Sequence, residues 1–414
     1  MRVLMIQEIV EKARVAQKIF EGFSQEQVDL VVRAVGKAVF DNAEYLARLA
    51  VDETGMGVYE DKVQKNKGKA RLIWNHLKNK KSVGVIGRDE NTGIVSIAKP
   101  MGLIVAVTPV TNPIVTPMSN AMFALKGRNA IIIAPHPRAK KCGAKTVELI
   151  NKAINVLGAP EGLIQILEEP SKELTVELMG AVDIVVATGG MGMVKAAYSS
   201  GRPAYGVGAG NVQVIFDREI DFNDASRKVI AGRQFDNGII CSSEQAVIFH
   251  KDDSEEVFRA FKNNGVFYMD DQKQTDALRK VLFIGGIINK DVVGQSAMKI
   301  SRMAGINIPE NTKVLLLRLD SGRADVLRKE KMCPVLISFT YDNFDEAIEI
   351  AQANLNIEGK GHTCVIHSNN REHIEAAGKR FPVSRLVVNQ SSSRSAGGSF
   401  FNGFTPTTTL GCGS

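Results

Sequence analysis

Between residues 103 and 199 the chain runs through one pattern four times: a short apolar run, a loop, and a stretch of helical periodicity. Ile104–Val110 leads to a helix near Val115–Leu125, and Ala130–Ala134 leads to Ala144–Val156. Leu163–Leu167 leads to a helix near Lys172–Leu178, and Val182–Ala187 leads to Met191–Ser199. Strand–loop–helix units in series predict an α/β fold with an open parallel sheet and right-handed crossovers. Ligands of such sheets sit at the carboxyl ends of the strands. There the sequence places Thr108-Pro-Val-Thr-Asn-Pro113, Pro135-His-Pro-Arg138 and Thr188-Gly-Gly190.

The flanks differ in texture. Residues 1–82 read as helices, because apolar positions in Val28–Phe40 and Ala43–Val51 recur at three and four. Ser24, followed by Glu26 and Asp29, reads as an N-cap. Gly84–Ala98 looks like two strands around an Asn-Thr-Gly turn. A second α/β region begins near Val214, with strands at Ala246–Phe249, Val314–Leu317, Pro334–Phe339 and Thr363–His367. The final strand, Arg385–Asn389, runs into the Ser-rich stretch Ser391–Ser395.

Composition excludes several classes. A chain of 414 residues, 44% hydrophobic and 23% charged, is ordinary for a soluble globular protein of two or three domains. Its longest apolar runs are too short to span a bilayer, and its N-terminus turns acidic and helical too soon for a signal peptide. The five cysteines are scattered, with no CxxC pair, so no disulfide framework or metal site is expected and a cytoplasmic setting fits. The net charge of +7 comes without basic runs interleaved with aromatics, which argues against nucleic acid. Lys65–Lys69 and Lys78–Lys81 read as exposed helix surface.

Cys241 sits in Gly232-Arg-Gln-Phe-Asp-Asn-Gly-Ile-Ile-Cys-Ser-Ser-Glu-Gln245, flanked by glycine and small polar residues. A free cysteine is usually a small buried hydrophobe. This setting instead leaves backbone N–H groups free near the sulfur, as a nucleophile needs. No complete GxGxxG occurs, but Thr188-Gly-Gly-Met-Gly192 follows a strand and opens a helix, where backbone can approach a phosphate. His136, between two prolines at a strand end, reads equally as a nucleotide contact or as a loop histidine.

In their order along the chain, these landmarks resemble the aldehyde dehydrogenase superfamily, in its CoA-acylating branch. Gly238-Ile-Ile-Cys-Ser-Ser-Glu-Gln245 is similar to the nucleophile motif, and Leu410-Gly-Cys-Gly-Ser414 to a late signature of the aldehyde domain of bifunctional aldehyde–alcohol dehydrogenases. The resemblance implies a Rossmann-type nucleotide-binding domain over 1–213, with an oligomerisation hairpin near 83–100. It implies a catalytic α/β domain over 214–385, and a return to the nucleotide-binding and oligomerisation region over 386–414. It makes Cys241 the nucleophile and Asn112 the oxyanion-hole amide. Thr108, Pro109, Val110, Thr111, His136, Pro137 and Arg138 would meet the nucleotide, as would Thr188, Gly189, Gly190 and Met193. Gly206, Val207 and Gly208 would also meet the cofactor, and Glu330 would hold the nicotinamide ribose. His362, in a Gly-His-Thr signature, would position coenzyme A, move a proton or make a structural hydrogen bond. The other cysteines match no nucleophile pattern and read as structural.

One departure is informative. Hydrolytic members of the superfamily carry a water-activating glutamate where this sequence has Gly206, and glycine is no general base. The implied acyl-enzyme waits for a thiol, which is already partly ionised near neutral pH. Coenzyme A is therefore the expected acyl acceptor and NADP (or NAD) the expected hydride acceptor, with Arg138, Lys140 and Lys141 suiting a 2′-phosphate. Arg394 lies in a loop that borders the acyl pocket, where a guanidinium could bind a substrate carboxylate, helped by Ser242 and Ser243. A solvent-exposed arginine or a coenzyme A phosphate contact is the alternative. The expected reaction interconverts succinate semialdehyde and succinyl-CoA. The alternatives are acetaldehyde or butyraldehyde as substrate, or a non-catalytic scaffold of the same fold. Family members continue past the final signature, so a tail beyond Ser414 is expected, as is a homodimer formed through the hairpin.

Overall fold

The computed structural model describes residues 2–320 and 322–411, so Cys412 and the end of the late signature lie outside the described residues. The chain divides into two compact units: Met1–Gly55, Lys62–Val207 and Thr405–Thr409 form one, and Met56–Asp61 and Gly208–Phe404 belong to the other.

The first unit opens with helices Arg2–Glu21, Gln25–Asp41, Ala43–Thr54 and Tyr59–Leu77. Ser24 caps the second: its hydroxyl accepts from Gln27 N–H at 3.3 Å, and the Gln27 side chain accepts from Ser24 N–H at 2.9 Å. Two orphan donors are thereby satisfied reciprocally. The five-stranded sheet runs Ile164–Ile166, Ala130–Pro135, Leu103–Thr108, Ile184–Thr188, Ala204–Val207, with every pair parallel. In chain order this is 3-2-1-4-5, the doubly wound order. Its switch point lies between Leu103–Thr108 and Ile184–Thr188, whose carboxyl ends carry Thr108–Asn112 and Thr188–Gly190. The edge strand Ala204–Val207 escapes the sequence pattern because Pro203 precedes it, Tyr205 is exposed and Gly206 has no side chain.

Strands Val85–Asp89 and Ile94–Ile97 form the expected antiparallel hairpin. Its Val85, Ile86, Ile94, Val95 and Ile97 are between 41% and 61% exposed, an apolar surface that the unit itself does not cover. The lysine-rich helix corrects an expectation. Lys65, the first residue of the Lys65–Lys69 run on Tyr59–Leu77, is buried at 9% exposure and is not part of a solvated face.

The second unit holds a seven-stranded parallel sheet in the order Val266–Met269, Val314–Arg318, Val335–Tyr341, Glu244–His250, Val212–Phe216, Thr363–His367, Arg385–Val388. Residues 386–404, expected to return to the nucleotide-binding region, group with this unit because strand Arg385–Val388 pairs with Thr363–His367. Only Thr405–Thr409 groups with the first unit. Among the described residues, no helix is long and apolar enough to cross a membrane.

The capping pair at Ser24 can be tested alone. Ser24→Ala should cost about 1 kcal/mol of stability, the usual loss for removing a hydroxyl cap, read as a drop in the denaturation midpoint with an unchanged slope.

Candidate active site

In the first unit, the sequence-singled residues gather at strand carboxyl ends. Thr108 closes its strand, and its carbonyl accepts from His136 N–H at 3.1 Å, which sets the two loops side by side. Asn112 precedes helix Val115–Lys126. Its Oδ1 accepts from the Lys65 ammonium at 2.7 Å. That contact fixes which way the carboxamide faces: with the oxygen on Lys65, the NH2 group is the donating end, and one of its hydrogens goes to the Thr111 hydroxyl at 3.4 Å.

His136 is exposed, and its Nδ1 accepts from Arg138 N–H at 3.1 Å, capping the short turn Pro137–Ala139. Glu53 accepts from the N–H groups of Lys141 and Cys142, both at 2.7 Å, and so satisfies the start of helix Lys140–Asn155. Sequence reasoning missed this residue, which comes from a distant helix. Lys140 is paired with Glu169 at 2.7 Å, so Arg138 and Lys141 are the remaining cations of the three counted toward a 2′-phosphate.

The Thr188 hydroxyl is tied to that of Thr409 at 2.9 Å. Beyond it, a Cβ added at Gly189, Gly190 or Gly192 would meet nothing within 4 Å, and helix Met191–Tyr198 has no side-chain cap. Open glycine backbone ahead of an uncapped helix fits a nucleotide phosphate. Met193 is half-buried against the core. Gly206 and Val207 close the neighbouring strand, and Val207 O accepts from Gly189 N–H at 3.1 Å.

In the second unit the chemistry sits at the opposite end of the sheet. Gly210, Cys241, Glu330–Cys333 and His362 precede the adjacent strands Val212–Phe216, Glu244–His250, Val335–Tyr341 and Thr363–His367, so they share an amino edge. The turn leading to Cys241 runs through three left-handed residues, Asp236 (φ 51°), Asn237 (φ 53°) and Gly238 (φ 69°). Two of them pay a steric penalty that only glycine escapes, about 1–2 kcal/mol each. Side chains hold them there. Asp236 Oδ1 accepts from Val58 N–H at 2.8 Å, its N–H donates to Asp61 at 2.7 Å, and the Asn237 amide donates to Gly294 O at 2.9 Å. At Gly238 a Cβ would stand 2.9 Å from Arg233 O, so glycine is required twice over.

Cys241 is partly exposed, whereas Cys142, Cys333 and Cys364 are buried. Burial pushes the Cys333 thiol up to about 11, the Cys364 thiol up to about 12 and the Cys142 thiol higher still, which keeps all three protonated and inert. A Cβ on Gly210 would overlap the Cys241 carbonyl and lie 3.1 Å from His362 Nε2. His362 is 2% exposed, its Nδ1 pairs with the Thr363 hydroxyl at 3.0 Å, and burial drives its pKa down to about 4. It is a neutral imidazole at working pH, and Nε2 has no protein partner.

Glu330 is buried, with Oε1 accepting from Gly210 N–H at 3.2 Å and its own N–H donating to Glu358 at 2.8 Å. Burial, and then the Glu358 carboxylate, push Glu330 up to about 8. Burial, and then Arg233, bring Lys331 down to about 7.

Ser242 and Ser243 are both buried, and the Ser243 hydroxyl donates to Gly232 O at 3.3 Å. Ser243 thus serves the turn and is no open donor for a substrate. Arg394 is exposed and lines a cavity of about 250 Å³ with Asp61, Gln234, Phe235, Asn237 and Lys313, its guanidinium 5.5 Å from the Phe235 ring centroid. Cys241 is not among the lining residues of that cavity. No group of three His, Cys, Asp or Glu among the described residues is arranged to hold a metal.

Comparison with known proteins agrees with this chemistry. The model of the aldehyde dehydrogenase family matches residues 4–307. The chain is 57% identical over 410 residues to succinate-semialdehyde dehydrogenase (acetylating) of Clostridium kluyveri, covering 99% of this chain and 90% of that one. Its fold is similar to an acetylating aldehyde dehydrogenase of Geobacillus thermoglucosidasius (TM-score 0.96, 37% identity, 100% of this chain and 91% of that one). It is also similar to a propionaldehyde dehydrogenase of Rhodopseudomonas palustris that holds CoA and an acylated cysteine (TM-score 0.87, 29% identity, 97% of this chain and 92% of that one).

The raised Glu330 carboxyl has a consequence for stability. Between an unfolded value of 4.5 and a folded value of about 8, the native chain keeps a proton that the unfolded chain has released. Its contribution is therefore full below the unfolded value and is lost as pH rises through the folded one. Glu330→Gln abolishes that titration, so its Tm relative to the natural protein should climb from about pH 5 to about pH 8. A difference that stays constant with pH would mean that the carboxyl is ionised throughout.

Proposed function

The chain belongs to the aldehyde dehydrogenase family, and we propose from that premise how its own residues carry the reaction. It is an NAD(P)-dependent, CoA-acylating aldehyde dehydrogenase that interconverts succinate semialdehyde and succinyl-CoA. The observation that supports the assignment of the nucleophile is Cys241, the one partly exposed thiol among the described cysteines, on a turn held in a costly conformation.

The Cys241 thiolate adds to the aldehyde carbonyl and forms a thiohemiacetal. We assign its oxyanion to the Cys241 N–H, and we assign a catalytic role to the Asn112 carboxamide, whose orientation Lys65 fixes. A bound NAD(P)⁺ would supply the acceptor for the hydride of the thiohemiacetal carbon. The phosphates of the dinucleotide belong with Gly189, Gly190 and the start of helix Met191–Tyr198, whose backbone is unobstructed. Coenzyme A sulfur then bonds to the acyl carbon, and the carbon–sulfur bond to Cys241 breaks. Gly206 carries no carboxylate with which to activate water, and a thiol needs little activation. Neutral, buried His362 suits a positioning role better than that of a charged acid.

For the far end of the substrate, we assign Arg394 as the carboxylate ligand, with Lys313 as a second cation in the same cavity. A guanidinium presents two parallel donors to a carboxylate, which distinguishes succinate semialdehyde from alkyl aldehydes of similar length. We further propose a cytoplasmic homodimer, built on the apolar hairpin of Val85–Asp89 and Ile94–Ile97.

Cys241→Ala should abolish reduction of NAD(P), and withholding coenzyme A from the natural protein should stop turnover after one acylation. Steady turnover without coenzyme A would sink the acylating reading. Arg394→Ala should lower kcat/KM for succinate semialdehyde by roughly thirtyfold, about 2 kcal/mol for truncating a charged hydrogen bond, and leave butyraldehyde nearly unaffected. Equal losses for both aldehydes would show that the arginine does not meet the carboxylate.

A further inference from the structure

Leu410 and Gly411 open the late signature, and both belong to the second unit. Leu410 is buried and anchors the segment. Gly411 takes φ 88°, a conformation that residues with a Cβ rarely adopt. A Cβ on it would overlap the carbonyl oxygen of Gly361 and stand 2.9 Å from the Ser384 hydroxyl oxygen. Only a glycine lets the late signature lie directly on those two groups.

Both groups hold His362. The Gly361 carbonyl is half of the planar peptide whose other half is the His362 nitrogen, so a push on that oxygen tilts the plane and turns the histidine with it. The Ser384 hydroxyl donates to His362 O at 3.0 Å. Gly361 N–H donates to Pro382 O at 2.8 Å, and His362 N–H donates to Gly359 O at 3.3 Å. The backbone of His362 is thus tied to the segment ahead of strand Arg385–Val388 and backed by Gly411. With Nδ1 held at the Thr363 hydroxyl, the buried ring follows that backbone. Its unpartnered Nε2 lies toward Gly210, at the point where a Cβ would overlap the Cys241 carbonyl.

We propose that Gly411 and Ser384 are positioning residues for His362: the late signature clasps the Gly361–His362 peptide and thereby aims Nε2 at the surroundings of Cys241. This rests on the positioning role given to His362 above, at the step in which coenzyme A takes the acyl group. In that step the coenzyme A sulfur bonds to the acyl carbon and the bond from that carbon to Cys241 sulfur breaks. The thiol proton of coenzyme A passes to the Cys241 sulfur. A displaced His362 slows this transfer and leaves the earlier acylation of Cys241 intact.

Two measurements test the proposal. The first is independent of turnover and uses nuclear magnetic resonance of protein carrying isotope-labelled histidine. The His362 ring signals, identified by their loss in His362→Ala, should shift in Gly411→Ala and in Ser384→Ala, while those of the other histidines stay in place. His362 signals that do not move would overturn the clasp. Ser384→Ala introduces no clash, so it carries the test alone if Gly411→Ala fails to fold.

The second measurement separates the half-reactions. Without coenzyme A, both variants should release NAD(P)H from succinate semialdehyde in a single burst of natural size. With coenzyme A, steady turnover should fall by about tenfold, within what a small misplacement of a reacting group costs. In a His362→Ala background neither substitution should slow turnover further, because each acts through a ring that is no longer there. A further loss of the same size in that background would overturn the proposal, and so would loss of the burst. If His362→Ala alone turned over at the natural rate, the role of His362 at this step would be overturned, while the ring signals would report separately on the clasp.

Discussion

The second unit depends on a close approach of two backbones. Gly210 lies so near the Cys241 carbonyl that a single Cβ would overlap it, and this contact joins the amino edges of adjacent parallel strands. The chain leading into one strand thereby sets the position of Cys241 ahead of the next. The same glycine gives its N–H to Glu330, and His362 Nε2 lies near it from a third strand. Open α/β sheets usually gather ligands at the carboxyl ends of their strands, which is where the candidate residues of the first unit lie. The second unit uses the other edge.

Holding a turn in that place requires polar groups inside the protein. Arg233 and Glu244 are both fully buried; burial lowers the guanidinium to about 10 and raises the carboxyl to about 7. Glu244 occupies space left by the missing side chain of Gly232 and accepts from Ser392 N–H at 2.6 Å, while the Ser393 hydroxyl donates to Gly232 O at 2.9 Å. Arg233 donates to Lys331 O at 2.7 Å, and Gln245 accepts from Lys331 N–H at 3.0 Å. Buried ionic groups add little to stability compared with apolar packing, but each of these ties the nucleophile segment to another. The short helix Ser392–Ser395, which carries Arg394, is fastened in this way to the strand that follows Cys241, so Cys241 and Arg394 share one frame.

Much of this was legible before any coordinates. The capping box at Ser24, the hairpin around Asn91–Gly93 and the alternation of apolar runs with helical stretches all rest on local chemistry, and local chemistry is written in consecutive residues. Strands Ala204–Val207 and Val266–Met269 were missed because they are short and incompletely buried, leaving no period to read. Lys65 reads as surface because a lysine-rich helix looks solvated; its burial comes from what packs on it, and its contact with Asn112 joins residues far apart in the chain. Glu53 was overlooked for the same reason: a helix start can be capped from anywhere in the fold.

By itself the sequence determined the α/β class and the family to which its motifs belong, because a few residues in fixed order carry them, and it singled out Cys241 as the candidate nucleophile. It also determined that Gly206 lacks a base. The tertiary structure decided what lies beside it: a Cβ placed on Gly206 would stand 2.7 Å from Val194 Cγ1. It likewise decided that Ser243 serves the turn, that His362 stays neutral and that Glu330 is buried against Gly210. Each of these depends on desolvation and on contacts across tens or hundreds of residues, and neither quantity exists until the chain has packed.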